Sequence, residues 1–147
     1  MMDKTKIGFM LPAAQARVEA GQLKLFSKAT GQTDPVYLNS EAAQAAGYRD
    51  ILAPPTFVTC LYMLGRGDPA PAYKALGVRM ERVLHAEQRF ELHEPICAGD
   101  DISFETKVAD IFSKKDGALE FLVQESKALN QFGRHAATAL QTIVVRN

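Results

Sequence analysis

The residues of this chain with chemistry to offer near neutral pH are three histidines, two cysteines and a carboxylate set just ahead of a proline. Histidine ionises nearest neutrality, so each is a candidate proton carrier. His85 lies in an alternating stretch and, if that stretch is a strand beside a helix, it faces the groove between them. The structural alternative is a strand histidine that is simply hydrogen-bonded. His93, before Glu94-Pro95, and His135, after a turn, read as exposed strand ends. The three have no metal-ligand spacing, so no metal site is expected. Asp34 either acts as an acid or base, or bonds the loop amides ahead of Pro35 as Asx turns do. Tyr37 offers a hydroxyl that ionises near pH ~10 and is a poor base at neutrality unless strongly perturbed. Its alternatives are a hydrogen bond to a substrate and aromatic packing under the loop. Cys60 and Cys97 are far apart and lack CxxC spacing, which predicts two reduced thiols, at least one of them buried. Cys60 is reactive toward electrophiles or an inert core thiol. No phosphate-cradling glycine loop or nucleophile elbow is present, and no bound cofactor is expected. The Arg66-Gly67-Asp68 tripeptide has no companion feature of an adhesion protein and is a chance occurrence.

These residues sit on elements that the hydrophobic pattern makes legible. Gly21 to Thr30 carries Leu23, Phe26, Ala29 and Thr30 at helical spacing, and Gly31 stops it. Ser40 to Ala46 reads as a short helix with Ser40 as N-cap and Gly47 as its stop. From Pro55 to Gly65 the chain is almost wholly apolar, with the proline opening a helix at its first turn. A helix apolar all round is expected to be buried on all sides, with a sheet wrapped about it. A Gly/Pro-rich loop covers residues 65–71. The period then changes to two: residues 82–93, 101–112, 118–129 and 135–145 read as four antiparallel strands. Val83, His85, Glu87, Arg89 and Glu91 share one face of the first, and Ile102, Phe104, Thr106, Val108 and Asp110 one face of the second. Gly-Asp, Asp-Gly and Asn-Gln-Phe-Gly turns separate them. The prediction is a single α+β domain over residues 1–147, a long antiparallel sheet holding one central helix.

Composition limits the function. Seventeen Lys+Arg against seventeen Asp+Glu give a formal charge of zero, and 47% of the 147 residues are hydrophobic. Binding nucleic acid or an anionic membrane calls for a basic excess, so neither is an expected partner. No apolar run approaches a membrane span, and the N-terminal stretch is a poor signal peptide, so a soluble, cytoplasmic protein is expected.

Three stretches in register carry a family resemblance. They are Phe26-Ser-Lys-Ala-Thr-Gly-Gln-Thr-Asp-Pro-Val-Tyr37, Ala46-Gly-Tyr-Arg-Asp-Ile-Leu-Ala-Pro-Pro-Thr-Phe57, and the segment from Val83 to Asp100 that ends Glu-Pro-Ile-Cys-Ala-Gly-Asp. Together they resemble the MaoC-like hydratase/dehydratase family in its N-terminal-type dehydratase domain, which has the hot-dog fold. The resemblance implies dimers whose sheets join edge to edge. It also implies action on acyl thioesters of coenzyme A or acyl carrier protein, as substrate and not as resident cofactor. Members add water to a trans-2-enoyl chain or remove it from a (3R)-hydroxyacyl chain. That chemistry needs a carboxylate and an imidazole together, and donors on the thioester carbonyl.

In active members the pair sits in a Gly-Asp-x-Asn-Pro-x-His motif. Here the segment reads Gly31-Gln32-Thr33-Asp34-Pro35-Val36-Tyr37, with Gln32 in the carboxylate position and Tyr37 in the histidine position. Where active relatives often open the buried helix with His-Gly, this chain has Ala53-Pro54, and proline has no N–H to offer. The resemblance places substrate contacts at Gly31, Tyr37, Pro55, Thr56, Phe57 and Cys60 and leaves the catalytic residues open, with Asp34 and His85 as weak candidates. Three functions follow. The chain is the non-catalytic, substrate-accommodating partner of a catalytic MaoC-type chain, a self-sufficient homodimer with an altered site, or a module that binds acyl-CoA without turnover.

Overall fold

The computed structural model describes residues 2–147. A short strand β1 (Ala14–Arg17) leads into helix α1 (Ala20–Thr30), followed by a 3-10 turn over Pro35–Tyr37 and helix α2 (Ser40–Ala45). Helices α3 (Phe57–Gly65) and α4 (Ala70–Ala75) come next. Four long strands complete the chain: β2 (Val83–Leu92), β3 (Asp101–Lys114), β4 (Leu119–Leu129) and β5 (His135–Arg146). All pairings are antiparallel, in the order β1-β3-β4-β5-β2. The α+β expectation holds, with five strands where the pattern predicts four. β1 is only four residues long, too short for alternation to declare it, and it forms because Ala14–Arg17 finds the edge of β3.

The helix ends follow local chemistry. Gly31 takes a left-handed φ of 74° and returns its amide to α1, as a C-terminal glycine should. At α2 the cap is Asn39 and not Ser40: the Asn39 side chain accepts the Ala42 amide at 2.9 Å. Both residue types cap well, and the extended backbone at Asn39 decides between them. Gly47, at φ 95°, closes that segment as predicted. Within the supposed loop, Pro69 opens α4, which buries Ala72 and Tyr73.

Helix α3 begins at Phe57, because Pro54 and Pro55 form a turn closed by the Phe57 amide on the Pro54 carbonyl at 2.9 Å. It buries Phe57, Val58 and Leu61, but Met63 and Leu64 are 58% and 56% exposed. Burial on all sides is therefore corrected to burial on one. A five-stranded sheet covers one flank of a helix, and apolar composition does not say how many flanks one chain can cover.

Two hydrophobic clusters fill the space between helices and sheet. One joins Val18, Leu23, Phe57, Leu61, Ile102 and Phe104 beneath α3, and the other joins Tyr73, Leu76, Val108, Ile111, Leu122 and Ile143 beneath α4. Register shifts interrupt three strands, one of them in β5, where Ala136 is the extra residue against β4. Ala86 is the extra residue where β2 pairs with β5, and Ala109 where β3 pairs with β4. Each shifts the inward set by one residue. Asp110 is therefore exposed while Ile111 is buried, which corrects the predicted face of β3. Likewise His85 and Gln88 line one cavity although strict alternation puts them on opposite faces. No helix among the described residues is long and apolar enough to cross a membrane.

Candidate functional site

Three stretches, distant in sequence, are stitched together around the start of α3. The Leu52 amide donates to the Val36 carbonyl at 2.9 Å, the Ala53 amide to Ile96 at 2.7 Å, and the Ala98 amide to Ile51 at 2.8 Å. Residues 51–53 are thus clamped between the 3-10 turn and the segment before β3. That clamp fixes Pro54 and Pro55 as one wall of a cavity of about 270 Å³. Tyr37 enters it from the turn, Tyr48 from the end of α2, and His93 and Glu94 from the end of β2.

The loop carrying the motif spends its polar groups on itself. The Gln32 side-chain oxygen accepts the amides of Thr33 and Asp34, each at 3.1 Å. Asp34 accepts the Val36 amide at 3.1 Å and caps the 3-10 turn, the Asx-turn role. Asp34 is exposed, and Gly31 and Gln32 line a separate shallow groove beside Lys24 and Lys28. Of the residues singled out from sequence, Tyr37 and Pro55 meet in the cavity. Thr56 lies exposed at the start of α3. Phe57 is buried, edge to face on Phe26 at 5.2 Å, and with Cys60 lines an apolar surface groove between α1 and α3. Burial raises the Cys60 thiol above its ordinary pKa, so it carries little thiolate at neutral pH. His85 lines a second cavity on the sheet side of α3.

The opposite wall carries what sequence reasoning set aside. His93 and Glu94 are held by their amides, both donating to the Ala136 carbonyl at 2.8 and 3.1 Å. The His93 ring packs against His135 with centroids 4.3 Å apart. A hydrogen bond of 2.8 Å links the His135 Nε2 to the Thr138 hydroxyl. Glu94 is tethered by Arg134 at 3.7 Å and receives a hydrogen bond from Asn130 Nδ2 at 3.3 Å. The sequence pattern places the two histidines at exposed strand ends. The β2–β5 pairing, which matches Leu92 with Ala137, brings those ends together. The only local signal was the His-Glu-Pro run itself. Among the described residues no cluster of three or more His, Cys, Asp or Glu is placed to hold a metal ion.

The cavity is thus an apolar pocket at a helix start, with two phenols on one side and an imidazole and a carboxylate on the other. It suits a small ligand with an apolar body and a few polar atoms. Comparison with known proteins shows the family and the fold. Residues 5–139 match the family described as FAS1-like, dehydratase domain region. A UPF0336 protein of Thermobifida fusca is 36% identical over 125 residues, 85% of this chain and 80% of that protein. Two solved structures share the hot-dog fold. The C-terminally truncated HadBC (3R-hydroxyacyl-ACP dehydratase) complex of Mycobacterium tuberculosis superposes with a TM-score of 0.79 at 24% identity, covering 95% of this chain and 96% of that one. The ChsH1-ChsH2 complex of the same organism gives 0.73 at 21%, covering 95% and 89%.

Proposed function

The chain belongs to the FAS1-like dehydratase-region family of MaoC-like hot-dog domains, and from that premise we propose that it is the non-catalytic subunit of a heteromeric acyl-thioester hydratase/dehydratase. One observation carries the reading. The loop that should hold the acid and base instead holds Gln32, whose side chain caps its own loop amides, and Tyr37, which enters the cavity with no imidazole or carboxylate from the same loop beside it. Adding water across an enoyl thioester needs one group to take a proton from water and one to protonate the α-carbon. A glutamine does neither, and position 37 of this loop offers a phenol and no imidazole. The chain's contribution is then the apolar cavity and the sheet edge. A second chain of the same family, retaining the carboxylate and histidine, supplies proton transfer. The substrate is a trans-2-enoyl or (3R)-hydroxyacyl thioester of coenzyme A or acyl carrier protein. HadBC and ChsH1-ChsH2, both complexes by name, are precedents for unequal pairing on this fold.

A second reading is favoured by the wall opposite Tyr37. His93 and Glu94 bring an imidazole and a carboxylate into the same cavity from β2. In that case the chain is a self-sufficient hydratase whose acid and base have moved to another element.

The test is to follow loss of enoyl absorbance with crotonyl-CoA and a longer trans-2-enoyl-CoA. The protein is assayed alone, as the His93→Gln variant, and mixed with a partner chain that retains the Asp-x-Asn-Pro-x-His pattern. Silence alone and turnover only in the mixture, unchanged by His93→Gln, is the expected result. Turnover by the protein alone that falls at least a hundredfold in His93→Gln would establish the second reading instead.

A further inference from the structure

The concave face of the sheet beneath α3 ought to be apolar, yet a polar seam crosses it between the two hydrophobic clusters. Gln88, Gln141 and Gln124 stand opposite one another across β2, β5 and β4. Thr106 and Ser126 face each other across β3 and β4. Half of the seam satisfies itself. Gln124 Nε2 donates to the Tyr73 hydroxyl at 2.8 Å, and the Thr106 and Ser126 hydroxyls are 2.8 Å apart.

The other half does not. Gln88 Nε2 donates to the Leu140 carbonyl at 3.1 Å, but Gln88 Oε1 is buried without a partner, and so is the hydroxyl of Thr59 on α3. Both residues line the second cavity, of about 180 Å³, together with His85, Ser126 and Gln141. Buried polar atoms in native proteins are nearly always paired, and two orphans on residues that line one cavity mark a place where a bound group, reached by a small turn of either side chain, completes the set. Gln88 Oε1 needs a donor, and the Thr59 hydroxyl can give or receive. A hydroxyl group, donor and acceptor in one atom, has the chemistry for both demands.

Val58 lines this cavity and also the one holding Tyr37 and Pro55, so the two share the buried Val58 as part of their walls. The second cavity runs along α3 from Val58 to Arg66, roughly 12 Å at the α-helical rise. We propose that it is the distal compartment of the substrate site and takes an acyl chain bearing a hydroxyl group remote from its thioester. That O–H donates to Gln88 Oε1, and its oxygen accepts from Thr59. A plain alkyl chain there would leave both orphans against methylenes, an arrangement that costs binding. The inference rests on the proposed thioester reading for the head of the chain only.

The experiment is calorimetric titration of the protein with decanoyl-CoA and dodecanoyl-CoA and with their terminally hydroxylated counterparts. It is repeated on Gln88→Leu and on Thr59→Val, each first shown by circular dichroism to be folded. The expected result is that the better hydroxylated ester binds roughly tenfold tighter than its parent, and that Gln88→Leu removes most of the preference. Equal binding of hydroxylated and plain chains by the wild-type protein overturns the proposal without any variant. So does a preference that survives Gln88→Leu. Dodecane-1,12-diol, which has no thioester, separates the two readings through its effect on Tm. If no ester binds but the diol stabilises the wild type more than Gln88→Leu, the thioester reading fails and the hydroxyl compartment stands. If the diol shows no such difference while the esters also show none, the compartment fails.

Discussion

Asp100 gathers three distant parts of the chain through one buried carboxylate. Arg49 Nη2 donates to its two oxygens at 2.7 and 2.6 Å, the Cys97 amide donates at 2.9 Å, and Gln131 Nε2 at 3.0 Å. The carboxylate in turn holds the Arg49 guanidinium above its ordinary pKa. The Ala-Gly-Asp run therefore keeps residues 49, 97 and 131 in register behind the Tyr37 cavity. Asp100→Asn removes the charge and converts one acceptor to a donor facing Arg49. Hydrogen bonds to a charged group are worth about 1.5–3 kcal/mol, and Arg49 is half exposed and can find water. Urea unfolding is expected to show a loss of about 2 kcal/mol. The neighbouring Asp101 pairs with Arg17 at 3.4 Å on the surface, and Asp101→Asn is expected to cost under about 1 kcal/mol. Equal losses from the two would mean that burial adds nothing at Asp100.

Helix α3 is positioned by contact at its far end as much as by the clamp at its start. A methyl added at Gly65 would lie 2.6 Å from the Gln15 carbonyl oxygen and 2.7 Å from its carbon, both backbone atoms of β1. Glycine is required there by close approach and not by a special φ. Gly65→Ala must push α3 away from the sheet, and overpacking of this kind costs about 1–3 kcal/mol. The control is Gly67→Ala, two residues on, where an added methyl meets nothing within 4 Å. A lower urea midpoint for Gly65→Ala with Gly67→Ala unchanged is the expected outcome. Indistinguishable midpoints would show that α3 does not rest on β1 in solution. The same helix shows the reach of pattern reading. Its identity was plain from the apolar run after Pro55, but its single buried flank depended on how far the sheet reaches round it.

The whole molecule leaves two features unsatisfied within one chain. Strand β2 lies at an edge of the sheet with an unpaired side, and Leu84 and Leu92 on it are 47% and 48% exposed. Met63 and Leu64 on α3 and Leu25 on α1 add apolar surface on the helical side. A long edge strand with one row of backbone groups unpaired is a template for another chain. Sedimentation equilibrium at micromolar concentration is expected to report a species of at least two chains. Leu84→Lys is expected to shift it toward monomer by placing a charge on that edge. A monomer at every concentration tested would leave the edge protected by its own bulge at Ala86.

By itself the sequence determined the class of fold and the residue types, Gln32 and Tyr37, that stand in the loop ahead of and beyond Pro35. Both are local properties. Periodicity in residues 83–146 and the apolar run after Pro55 need no partner to be read, and Gln32 and Tyr37 are what they are in any conformation. Tertiary structure decided what stands opposite them. His93 and His135 meet because β2 pairs with β5. Gln88 joins His85 in one cavity because a single extra residue, Ala86, shifts the inward face. A bulge and a strand register are set by competition among all pairings of the sheet, and no window of neighbouring residues contains that information.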